Sequence, residues 1–238
     1  MRESGRMLAT VLDVLKNRAT PDMTTKELAH IAATELKVLG GQSAFLGYQG
    51  YPDVLCVSVN DEVVHGIPSN DVILADGDIV GLDFGVLYKG MITDSAISII
   101  VGNSTDKDVE KLLKMTERSL MHAIDVVKDG VRVGDIASAA QSILDGADLG
   151  IVRDLVGHGV GHHVHEEPNI PNFGHSGTGP ILKSGMTIAI EPMATLGGYD
   201  VFIARDGWTV KTRDGSRAAH FEHTILVTDT GAEILTAL

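Results

Sequence analysis

The chain of 238 residues has one cysteine, Cys56, so no disulfide can close within it. That excludes a disulfide-built secreted scaffold and suits a reducing compartment. No apolar run approaches the roughly 18 residues a membrane span needs. The opening stretch, Met1-Arg2-Glu3-Ser4-Gly5-Arg6, has no apolar core of the signal-peptide kind. Basic side chains are few: 19 Lys and Arg against 32 Asp and Glu give a formal charge of −13. Such a surface repels phosphate backbones, which argues against direct nucleic-acid binding. Low-complexity stretches and short repeats are also missing. The expectation is a soluble, cytoplasmic protein with no membrane segment.

What is present is ordinary for a globular chain, with 44% hydrophobic and 21% charged residues. Leu8, Val11, Leu12 and Leu15 form a helical stripe over residues 3–18, broken by Thr20-Pro21-Asp22. Thr24 and Glu27 have capping-box spacing and open a second helix, with Leu28, Ile31, Ala32, Leu36 and Leu39 as its apolar face and Gly40-Gly41 as its stop. From Phe45 to Val101 the period changes to that of strands: 54–59, 79–87 and 91–101, the last two paired around Tyr88-Lys89-Gly90. Residues 106–128 and 135–149 read as two more helices. Strands return at 187–191, 199–204, 208–211 and 220–227. The order predicts a single α+β domain over 1–238, made of two similar halves around a shared centre.

The chemistry lies where this pattern is interrupted. Asp83 follows the apolar run Ile79-Val80-Gly81-Leu82, and Asp94 sits within Met91-Ile92-Thr93-Asp94-Ser95-Ala96-Ile97. Glu191 ends Met186-Thr187-Ile188-Ala189-Ile190, and Glu222 lies in Phe221-Glu222-His223-Thr224-Ile225. An ionised carboxylate in a buried strand needs a partner, because its desolvation is otherwise too costly. Four of them converging without cations would be untenable, whereas hard divalent metals prefer oxygen ligands. His158, in Gly157-His158-Gly159-Val160-Gly161, adds an imidazole and moves the preference from calcium or magnesium toward transition metals. Its flanking glycines would let backbone approach a metal or ligand closely. Taken singly, each acid is better read as a cap, turn or salt-bridge residue, and His158 as a structural histidine. The same acids in both strand regions argue against coincidence. His162, His163 and His165 leave open a separate His-rich metal tract.

In this order Asp83, Asp94, His158, Glu191 and Glu222 resemble the metal ligands of the methionine aminopeptidases. Val64-His65-Gly66-Ile67-Pro68, His165-Glu166-Glu167-Pro168, Glu191-Pro192-Met193, Asp206-Gly207-Trp208-Thr209-Val210 and Glu222-His223-Thr224 match as well. The resemblance spans essentially the whole chain and is to the short bacterial type 1 form. It implies the pita-bread fold, with two pseudo-symmetric halves, strands around a dinuclear centre and helices outside. It also implies two divalent metals (cobalt, manganese, iron, zinc or nickel), which Asp94 and Glu222 bridge. Asp83 would complete one shell, and His158 with Glu191 the other. Glu191 is in addition the implied handler of the water proton. His65 and His165 match histidines that contact substrate, and Phe45, Tyr48, Tyr51, Cys56 and Trp208 match the methionine pocket. The implied partner is the N-terminal Met-Xaa of nascent polypeptides, with a small second residue, transient ribosome contact and a monomeric enzyme. Val164 and Phe45 depart from the family pattern, in which an aromatic and a cysteine are common there. Two other classes share part of the pattern. Creatinase-like proline peptidases usually carry a further N-terminal domain, and catalytically dead binding modules typically lose metal ligands.

Overall fold

The structure is a computed structural model describing residues 1–238. The apolar stripe read at the start of the chain makes α1, Arg2–Arg18, with Leu8, Val11, Leu12 and Leu15 buried. The Thr24–Glu27 box is formed in full at the head of α2, Thr25–Leu39. That helix stops where Gly40 turns left-handed, at φ 81°. Next come α3, Lys107–Asp125, capped by the Asp106 carboxylate, and α4, Val133–Asp145. The expected start of α4 at residue 135 is two residues late. Asp135 lies inside the first turn, and its carboxylate accepts from the Arg132 N–H at 3.0 Å. The expected end at 149 is four residues late.

Each helix pair covers a sheet. In the first half, Ile79–Tyr88 and Met91–Ile100 form a ten-residue antiparallel hairpin, and Cys56–Val59 pairs with the outer side of Ile79–Tyr88. Lys89 and Gly90 close the hairpin with positive φ of 50° and 79°, as a type I′ turn requires, so the register is set locally. In the second half, Thr187–Ile190 lies between His223–Val227 and Gly157–Gly159, and Glu166–Ile170 forms the edge beyond. The expected strand 220–227 is in fact two. Ala218–His220 pairs with Met193–Thr195, while His223–Val227 pairs with Thr187–Ile190. Glu222 falls between them, in an isolated bridge to Ala96 of the other half. The expected strands at 199–204 and 208–211 shorten to Val201–Ile203 and Val210–Thr212, which pair with each other.

Two apolar cores follow from this layout. One gathers α1, α2 and the first hairpin, including Leu8, Leu28, Leu82 and Phe84. The other gathers α3, α4 and the second sheet, including Leu112, Leu120, Ile136 and Ile188. Each fully buried side chain of this size contributes roughly 1.5–3 kcal/mol, so both halves carry their own stabilisation. Between them runs a polar seam. Asp94 N–H donates to Thr224 Oγ1 at 2.9 Å, and Thr224 donates back to the Asp94 carbonyl at 2.7 Å. Ser95 donates to the Glu222 carbonyl at 2.5 Å, and Ser98 to the His220 carbonyl at 2.9 Å. Asp94, Ala96 and Ser98 thus face Thr224, Glu222 and His220 in antiparallel order. The seam brings the acid-bearing segments of both halves together. No helix is long and apolar enough to cross a membrane.

Candidate metal centre

Register explains why the acids meet. Asp83 pairs with Ala96, and Asp94 pairs with Gly85, so the two aspartates are diagonal neighbours on one face of the hairpin. Cys56 pairs with Asp83 from the next strand and shares that face. Gly85 is small by necessity: a Cβ there would come within 2.5 Å of the Phe45 ring, which packs over it. In the second sheet Ala189 faces both His158 and Thr224. Two residues further along, on the same side by strand alternation, are Glu191 and, on the neighbouring chain segment, Glu222.

The outcome is one cavity of about 150 Å³ at the seam. Asp83, Asp94, His158, Glu191 and Glu222 line it, with His65 and His165 and with Phe45, Tyr48, Tyr51, Cys56 and Trp208, so all twelve residues singled out from sequence share it. Val164 lines it as well. Gln49 also lines it and was not singled out. It lies in a short 3₁₀ turn at φ 47°, and nothing in its spacing marks it. Metal-tract histidines do not gather: all three are exposed, His162 and His163 have backbone N–H groups that donate to Glu166 Oε1, and only His165 lines the cavity. The glycines beside His158 let the neighbouring strands approach closely. A Cβ on Gly157 would meet the Ala189 carbonyl at 2.4 Å, and one on Gly159 the Glu167 carbonyl at 2.3 Å.

Electrostatically the cavity is unbalanced. No Lys or Arg lines it. Burial, and then neighbouring carboxylates, pushes Asp94, Glu191 and Glu222 well above the usual carboxylate range, and burial raises Asp83 to about 7. Asp83 Oδ1, Asp94 Oδ1 and Glu222 Oε1 are buried without any hydrogen-bond partner. Donor atoms of Asp94, His158 and Glu222 lie within 4.8 Å of one another. His158 Nδ1 is 2.9 Å from the Gly159 carbonyl, which only accepts, so Nδ1 carries the proton and Nε2 offers its lone pair. That lone pair sits 3.5 Å from Glu191 Oε1. Converging lone pairs and orphaned anionic oxygens are what a divalent cation satisfies, and the donor set of oxygens with one imidazole fits such an ion.

The remaining residues shape the approach. His65 follows Glu62–Val64 in a left-handed conformation at φ 60°, and burial lowers its pKa to about 4. His165 stacks beside Tyr48 and bonds its hydroxyl through Nδ1 at 2.9 Å. Tyr51 meets Trp208 edge-on at 5.1 Å and anchors its hydroxyl on the Gly66 carbonyl at 2.9 Å, which ties the pocket wall to the His65 loop. Phe45, Tyr51, Cys56 and Val164 belong to one small apolar cluster at the cavity wall.

Similarity to known proteins points the same way. The profile of metallopeptidase family M24 matches residues 1–229. Methionine aminopeptidase 1 of Bacillus subtilis is 46% identical over 236 residues, which cover 99% of this chain and 94% of the relative. The structure superposes on methionine aminopeptidase from Thermotoga maritima with a TM-score of 0.98 at 44% identity, covering 100% of this chain and 95% of the other. Prolidase from Pyrococcus furiosus shares the fold with a TM-score of 0.78 at 24% identity. That match covers 100% of this chain but 63% of the prolidase.

Proposed function

The chain belongs to metallopeptidase family M24 and carries its pita-bread fold, and from that premise we propose that it removes the N-terminal methionine of new polypeptides with two divalent cations. The observation that carries the reading is the single cavity in which four carboxylates and His158 adjoin an apolar wall of Phe45, Tyr51, Val164 and Trp208. A metal-dependent hydrolase needs the first, and an unbranched thioether side chain suits the second.

Asp94 and Glu222 stand where the two halves touch and would hold both cations. Asp83 would complete the shell on the first-half side, and His158 with Glu191 the shell on the second-half side. Bound there, divalent ions supply Lewis acidity and a nucleophile that is competent at neutral pH. Cobalt, manganese, iron, zinc and nickel all suit the mixed oxygen and nitrogen donors. Glu191 would take the proton of the attacking water and return it to the leaving amine. His65 and His165 are kept neutral by burial, and each can present an N–H to the oxygen on which charge develops. The methionine side chain rests against Tyr51, Trp208 and Cys56, with Tyr48 holding His165 in place. A small second residue is the expected preference, and the enzyme acts as a cytoplasmic monomer that meets the ribosome only in passing. All 238 residues form one catalytic domain.

The test is a peptide series with metal-reconstituted protein. Methionine should be released from Met-Ala-Ser and Met-Gly peptides, and Xaa-Pro peptides should stay intact. Cleavage of the Xaa-Pro series with Met-Ala-Ser untouched would overturn the reading in favour of a proline peptidase.

A further inference from the structure

One buried ionisable group has no part in this chemistry. His220 is 3% exposed, and its Nε2 has no hydrogen-bond partner. The atom lies 3.7 Å from Glu191 Oε2 and 4.0 Å from Glu222 Oε2. His220 is not among the residues lining the cavity, so its ring stands behind these carboxylates. Its main chain is pinned. Ser98 Oγ donates to the His220 carbonyl and accepts from the His220 N–H, both at 2.9 Å, and Met193 pairs with it on the other side. The His220 backbone is therefore anchored across the seam.

The oxygens of the two glutamates divide consistently. Glu191 turns Oε1 toward His158 and Oε2 toward His220. Glu222 Oε2 is the oxygen nearest His220, and its Oε1 is buried without a partner. One oxygen of each carboxylate thus approaches the same nitrogen. We propose that His220 is a positioning residue that donates its Nε2–H to Glu191 Oε2 and Glu222 Oε2 and so holds both carboxylates in ligating orientation. The present separations exceed a hydrogen bond, so the proposal requires both contacts to shorten once a cation is bound. Outer partners of this kind orient ligands and typically set 10–100-fold in metal affinity. This inference rests on Glu191 and Glu222 being metal ligands, as proposed above.

The experiment titrates metal-free protein with Mn²⁺ and compares wild type with His220→Gln and His220→Leu. The Gln amide places an N–H at nearly the same reach, and Leu fills the volume without a donor. Wild type and H220Q should bind alike. H220L should bind about 10–100-fold more weakly, and its Co²⁺-loaded form should show an altered d–d absorption spectrum. In peptide assays H220L should lose kcat while KM holds. Should H220L melt below the assay temperature, His220→Met takes its place. H220L titrating as wild type would overturn the proposal, as would H220Q falling as far as H220L. Glu191→Gln is the control for the underlying reading. If that variant binds Mn²⁺ as wild type does, it is the ligand assignment that fails, whatever His220 does.

Discussion

The two halves deliver their acid pairs to the same cavity by different means. Asp83 and Asp94 sit on one hairpin whose two-residue turn sets every pair along it. Glu191 and Glu222 flank strands that meet only after the chain has run through residues 191–222 and built Met193–Thr195, Val201–Ile203, Val210–Thr212 and Ala218–His220 in between. The first pair is thus held by local geometry. The second is held by long-range sheet pairing and by the seam. Local closure is entropically cheap, whereas the second pair depends on the folded whole. Equal placement at the end therefore does not imply equal robustness.

The largest expected effect tests whether the halves are equivalent at the centre. Asp94→Asn and Glu222→Gln each replace a carboxylate from one half by an isosteric amide. Both should lose more than about 100-fold in kcat/KM, the upper range for residues that merely stand behind ligands. Both should also raise the melting temperature of the metal-free protein, because an amide costs less to bury among carboxylates than another carboxylate does. Steady-state kinetics and calorimetry check the two directions together. A tenfold gap between the variants would show that the two halves do not share the cations equally. Unchanged activity in Asp94→Asn would remove that residue from the centre.

An intermediate effect probes the seam. Thr224→Val keeps shape but deletes both hydrogen bonds to the Asp94 backbone, leaving a buried N–H and C=O without partners. Each orphaned group costs about 1–3 kcal/mol. At about 2–4 °C per kcal/mol for a chain of this size, a melting temperature lower by roughly 5 °C or more is expected. Hydrogen exchange should rise first in His223–Val227 and leave the 79–100 hairpin protected. Uniform loss of protection would mean that the halves open as one unit, and the contrast between local and long-range closure would fall.

Legibility in the sequence follows the same division. The hairpin, both of its aspartates and the α2 box could be read because each signal lies within a few residues: alternation, a turn, a cap. Glu191, Glu222 and His158 were marked as acids or imidazole in strand-like surroundings and by family resemblance, yet their convergence depends on pairings that no local pattern shows. Gly157–Gly159 was not foreseen as a strand, since glycine has little strand preference, and only the close approach of neighbouring carbonyls explains it. Short strands such as Met193–Thr195 and Glu62–Val64 fall below what periodicity can resolve. The break at Phe221-Glu222 was invisible because 220–227 reads as one apolar alternation. A residue bridging to the other half, Glu222 with Ala96, interrupts it only in three dimensions. His220 carries no mark in the sequence for the same reason: it reads as the first residue of a strand, and its neighbours arrive from distant segments.

The smallest effect compares the helix starts of the two halves. In α2 the cap is closed within four residues: Thr24 Oγ1 accepts from the Glu27 N–H at 3.1 Å, and Glu27 accepts from the Thr24 N–H at 2.7 Å. In α4 Asp135 accepts from the Arg132 N–H but also from Ser176 and Gly177, at 2.5 and 2.8 Å, so its carboxylate ties the helix to a distant loop. Asp135→Ala should therefore disturb both a cap and a tertiary tie. Thr24→Ala removes a local bond alone and should cost about 1 kcal/mol, seen as a fall of some 2–4 °C with kcat/KM unchanged. Were Thr24→Ala to cost as much as Asp135→Ala, the first half would owe more to long-range support than its hairpin and capping box suggest.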